Sequence, residues 1–218
     1  MKKQRTGKQK RKKAGKKTEK QNKQARKYLI PSLKGPLATG WQYIKDSRNY
    51  IYFTIITFVF FALIGFFNAK DFSYLDKLLA EIVQNTKNLQ GMDLISFIFQ
   101  NNLNMAFVSL FLGIILGIFP LISIMSNGVI IGYVISKVSS IAGFSEIWRL
   151  FPHGIFELPA IFISLGLGIR LGAFIFKKNR MQTLIERAYK SLLVFFLIII
   201  PLLIIAAVIE GLLITLLK

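Results

Sequence analysis

Cysteine is absent and histidine occurs once, as His153. Without cysteine there is no disulfide framework, no thiol nucleophile and no thiolate metal site. One imidazole cannot supply the two histidines of an HExxH zinc motif, so no metal and no cofactor is expected. Acids are scarce: 10 Asp and Glu stand against 29 Lys and Arg, a net charge of +19. Charge of either sign is missing altogether from residues 94–136. One membrane crossing takes about 20 apolar residues, so that run predicts two crossings joined by a tight turn, with Pro120 as the break. With 53% of its residues hydrophobic, the chain reads as a polytopic membrane protein.

What charge there is has a lopsided distribution. Almost half of the cations fall in residues 2–27, against a single acid, Glu19. Segment 1–27 has no apolar periodicity and is expected to be a disordered, polybasic cytoplasmic tail. The first apolar stretch starts near Tyr50, too far along for a secretory signal, so a retained membrane anchor is expected. Residues 28–48 mix Pro31, Pro36, Trp41 and Tyr43 with Lys34, Lys45 and Arg48, a composition suited to the headgroup layer. The rest, 49–218, reads as an all-α bundle with spans near 50–67, 94–119, 121–137, 153–176 and 191–217, the last kinked at Pro201. Between the first two spans Leu75, Leu78, Leu79 and Ile82 recur at i, i+3, i+4 and i+7, an amphipathic helix. Five spans put the basic tail and the cations of 177–190 on one side, so the N-terminus is expected in the cytoplasm and the C-terminus outside.

Small residues form stripes along three spans. Asn102, Ala106, Ser109, Gly113 and Gly117 share one helical face, as do Gly128, Gly132, Ser136 and Ser139, and so do His153, Glu157, Ala160, Ser164, Gly168 and Gly172. Each stripe contains a GxxxG pair. Lipid gives little hydrophobic drive between helices, so helices associate where small residues let backbones approach. Spans two to four are therefore expected to form one tight core, within the chain or across two copies. Gly154 belongs to the same set of close-packing positions.

Polar side chains at membrane depth must be partnered or functional. His153 and Glu157 point along the stripe into the bundle, near the depth of Asn101 and Asn102; Asn127 lies deeper. Two readings stand for this set: a hydrogen-bonded clamp that fixes helix packing, with His153 and Asn102 as partners of Glu157, or a site open to the outer face. A His–Glu pair is able to act as a general base, but no nucleophile is placed with it, so no catalytic residue is assigned. Arg170, near the other end of span four, is expected to snorkel to headgroups, and Glu210 to reach the interface.

QNNLNMAFVSLFLGIILGIFP (100–120), SNGVIIG (126–132) and PHGIFELPAIFISLGLGIRLG (152–172) together resemble the stage II sporulation protein M family. Its pattern is a paired Asn opening a Gly-rich span, an Asn-Gly in the next, and a Pro-His-Gly-x-x-Glu-x-Pro-Ala block before a Gly-rich helix. The resemblance implies a multi-pass membrane protein whose namesake scaffolds a cell-wall-degrading complex. On it Asn101, Asn102, Asn127, Gly128, His153, Gly154 and Glu157 are the motif positions.

The function expected is a non-enzymatic scaffold or membrane-organising protein. A small transporter or lipid-handling protein using the polar set is the second reading, and an intramembrane hydrolase the third. Expected partners are anionic lipid headgroups for the tail, and a protein partner or a second copy for the bundle. Nucleic acid is a further partner for the tail, though the interleaved aromatics of such sites are missing. Deleting residues 2–27 is expected to lower affinity for anionic vesicles in a sedimentation assay while leaving the helical content and melting of the bundle unchanged.

Overall fold

The computed structural model describes residues 35–145, 147 and 154–216. The expected disordered tail and His153 lie outside the described residues. Within them the chain is all α, with five helices long and apolar enough to cross a membrane.

α1 (Pro36–Asp46) starts with proline in its first turn, where a missing N–H costs nothing. Ser47 ends it, its hydroxyl donating to the Tyr43 carbonyl at 2.6 Å, and the first span, α2 (Arg48–Phe67), follows at once. α3 (Leu75–Thr86) is the short helix anticipated from the leucine spacing. The second and third spans are α4 (Gly91–Leu112) and α5 (Ile118–Ala142). The fourth, α6 (Gly154–Gly172), ends in a 3₁₀ turn, Ala173–Phe176. α7 (Arg180–Val194) passes through a π-helical turn, Phe195–Ile199, into α8 (Ile200–Leu216), and together they make the fifth span. The cations of 177–190 thus sit largely on a helix continuous with that span. The π turn lies just ahead of Pro201, whose ring and missing N–H disturb the preceding turn.

The α4–α5 turn falls ahead of Pro120. It spans Gly113 to Gly117 and is closed by Leu116 and Gly117 at positive φ, 57° and 71°. Pro120 sits in the first turn of α5, the part of a helix whose N–H groups have no partner in the helix. Glycine ends the run here because the left-handed conformation costs it nothing.

α6 is the hub. Half of its apolar window is buried, against 17–33% for the other spans, and it packs on α2, α4, α5 and α8. Its stripe faces that of α4. Ser164 donates to the Ala106 carbonyl at 2.6 Å, Ala106 and Ala160 are fully buried, and a Cβ on Gly172 would overlap the Gly113 carbonyl. The α5 stripe goes elsewhere. Gly128 and Gly132 press on Phe58 and Ala62 of α2, and α2 returns Gly65 against the Val129 carbonyl. The tight core expected from spans two to four is therefore two seams, α4–α6 and α2–α5. Thr54, Phe58, Ala62 and Gly65 give the first span a narrow face of its own, flanked by its many phenylalanines.

Gly132→Val should force the α2–α5 seam apart and cost about 1–3 kcal/mol, read as earlier melting in detergent. Gly154→Ala is the control, since its Cβ would meet only the Leu158 side chain at an ordinary 3.6 Å. Equal melting of the two variants would mean that this contact does not hold the bundle.

Candidate functional site

The two ends of the bundle differ in chemistry. At one end α1 lies on α7. Arg170, at the last turn of α6, donates to the Ser47 hydroxyl at 2.5 Å and the Tyr43 carbonyl at 3.2 Å, and stacks 4.3 Å over the Tyr43 ring. Arg187 of α7, only 9% exposed, donates to the Arg170 carbonyl. Arg170 is thus a strut between α6 and α1, where snorkelling to headgroups had been expected. A cation at the C-terminal end of a helix also complements the helix dipole.

At the other end a cavity of about 360 Å³ opens between the last turns of α3, the first half of α4, the start of α6 and the end of α8. Asn101, Asn102 and Glu157 line it. Asn102 is 8% exposed and accepts a hydrogen bond from Asn101 Nδ2 at 3.4 Å. Two charged residues that the sequence did not assign to the set join them: Glu210 from α8 and Lys87 just beyond α3. Glu210 is half-buried and has no hydrogen bond or ion pair with any described residue. The signal was a lone acid in the otherwise uncharged fifth span, but only the fold brings α8 beside α4, through Leu94, Ile98 and Ala207.

Asn127 does not join this cavity. Its Nδ2 donates to the Ser123 carbonyl at 2.8 Å, one turn back on α5, near the 3.3 Å contact between Ser123 and Ser109 hydroxyls. Of the close-packing positions, Gly113, Gly117, Gly168 and Gly172 lie on the α4–α6 seam and its turn, Gly128 and Gly132 lie on α2, and Gly154 is held less tightly. No group of three acidic or imidazole side chains fit for a metal occurs among the described residues.

Residues 54–213 match the family model for stage II sporulation protein M. The chain belongs to the stage II sporulation protein M family. An uncharacterized protein of Methanocaldococcus jannaschii is 33% identical over 156 residues, which cover 66% of this chain and 70% of that protein. No solved structure matches the chain. The stage II sporulation protein M region takes in both glycine seams and every helix around the cavity, and leaves out α1 and the tail. It makes this a multi-pass membrane protein.

α3 roofs the cavity with its last turns and is pinned by its first. Tyr133 donates to Asp76 Oδ1 at 2.5 Å, Lys137 donates to Oδ2 at 2.9 Å, and Leu75 is buried beneath them. Those two bonds, the tyrosine's foremost, hold the Asp76 carboxyl below its usual range. A carboxylate with a lowered pKa stabilises the fold fully above its ordinary value, and that contribution fades as pH falls through the lowered one. The protection of α3 amides, taken relative to the intrinsic exchange rate at each pH, should therefore fall on acidification below the ordinary carboxylate range, ahead of α4–α6. Asp76→Asn should give the same loss of protection at neutral pH. An unchanged α3 in that variant would mean that the pin is elsewhere.

Proposed function

We propose that this chain is a non-enzymatic membrane scaffold that receives a partner at its polar cavity. The observation that carries this reading is the floor of the cavity. Directly below Asn102 and Glu157, the α4–α6 seam closes through fully buried Ala106 and Ala160 and the Ser164 bond to the Ala106 carbonyl. A pocket open at one end and floored by touching backbones suits a recognition site. The fully buried alanines set between the cavity and the Arg170 end favour recognition over carriage. The carrier reading keeps one observation in its favour, two carboxylates lining a single cavity in a membrane domain.

The scaffold sits in the cytoplasmic membrane with the α1–α7 end toward the cytoplasm, a proposal supported by the cations of α7 and of the tail. On that orientation the cavity faces outward, and the tail lies over anionic lipid. The partner is a protein or a second copy of the chain.

The test is an affinity pull-down of the solubilised full chain, wild type beside Asn102→Leu and Glu157→Gln, with melting recorded for each. A partner or second copy retained by wild type and lost about tenfold in a variant of equal stability supports the scaffold reading. Loss of ion or solute flux in proteoliposomes on Glu157→Gln, with partner binding intact, would replace it with the carrier.

A further inference from the structure

We propose that the cavity roofed by α3 takes the headgroup of a phospholipid that carries both a primary ammonium and a phosphate. The inference concerns the same cavity as the scaffold reading but is argued from the lining alone, so lipid retention and partner capture are read by separate experiments.

The first argument is unmet chemistry. Glu210 presents a half-buried carboxylate that makes no ion pair with any described residue, and a carboxylate at this depth calls for a cation. Asn102, 8% exposed, spends its carbonyl oxygen on Asn101, while its Nδ2 meets no acceptor among the described residues. Those N–H groups call for an oxygen. Glu157 adds a second carboxylate whatever its own contacts, and exposed Lys87 stands on the cavity wall as a cation. A ligand that answers all of them bears a positive group toward the carboxylates and anionic oxygens toward Lys87 and the amide.

Size and place narrow the class. A water molecule's share of liquid is about 30 Å³, so a cavity of about 360 Å³ exceeds a bare ion by an order of magnitude and suits a headgroup. Leu94, Phe97 and Ile98 give it one apolar wall and Ile82 and Val83 another. Ile82 and Val83 remain 46% and 62% exposed, an uncovered apolar lip on which acyl chains can lie. The cavity is at a bundle end, under an amphipathic helix, which is where headgroups meet hydrocarbon. Phe97 is its one aromatic among the described residues. Quaternary ammonium groups are held in cages of several aromatics, whereas a primary ammonium donates three hydrogen bonds, which two carboxylates and Asn101 can accept.

The experiment is native mass spectrometry of the full-length protein exchanged into defined detergent–lipid mixtures. The probes are dioleoyl phosphatidylethanolamine, its N-methylated series up to phosphatidylcholine, and phosphatidylglycerol. Phosphatidylethanolamine should be retained about tenfold better than phosphatidylcholine or phosphatidylglycerol, and Glu210→Gln should erase that preference. Lys87→Glu, at an exposed position, should keep wild-type melting and weaken phosphatidylethanolamine retention several-fold. Equal retention of the three lipids would overturn the proposal. So would undiminished phosphatidylethanolamine retention in Lys87→Glu, which decides the matter even where Glu210→Gln does not fold. Soluble phosphoethanolamine should compete with the lipid; failure to compete would place the binding on acyl chains alone and sink the headgroup assignment.

Discussion

Ser164 reaching the Ala106 carbonyl at 2.6 Å marks the contact on which the remaining architecture depends. Helices in lipid gain little from hiding apolar surface from one another, so what binds them is dispersion at short range and the few hydrogen bonds that cross between them. Ala106, Ala160, Ser164 and Gly168 let α4 and α6 approach to that range, and Gly168 comes against the Ser109 carbonyl and the Pro120 ring. Once α6 is seated on α4, its remaining faces are left for α2, through Gly166 against Ile51 and Thr54 against the Phe162 carbonyl, and for α8.

That single seam also creates the asymmetry between the two ends. Toward α1 and α7 the helices converge on arginines, and every polar group that Arg170 and Arg187 are seen to touch is a hydroxyl or a carbonyl. Guanidinium groups suit such sites because their several donors reach fixed acceptors without a paired acid. Toward α3 the helices part above the Asn102–Glu157 level, and carboxylates and amides line the space between them. A membrane domain that is glycine-tight in the middle, basic at one end and lined by carboxylates and amides at the other keeps its charged groups at its two ends.

α3 is the least anchored part of that end. Its leucine periodicity gives it an apolar face, yet Leu78 and Ile82 stay 42% and 46% exposed, with Leu75 alone fully covered. One ionic contact to α5, itself partly exposed, holds it in register over the cavity. Local stability of this kind, few buried contacts and a solvated tether, marks segments that open before the core does.

Five spans were legible from apolar stretches long enough to cross and from the polar or proline breaks between them, because hydrocarbon penalises nearly every charge and a crossing takes about 20 residues. The resemblance carried by Asn101–Asn102, Asn127–Gly128 and the Pro152–Ala160 block was legible too, since it rests on residue identity alone. The placement of the α4–α5 turn was not, because Pro120 is as well suited to start a helix as to end one, and positive φ at Gly117 follows from how the chain must fold back. Nor was the partner of each stripe. A row of glycines says that a backbone will approach, and Gly128 and Gly132 say nothing of whether it is α4, α6 or α2 that does. Glu210 entered the polar set for the same reason: one acid in an apolar helix has an address in the sequence, but its neighbours come from helices far away in the chain, and only tertiary packing sets them side by side.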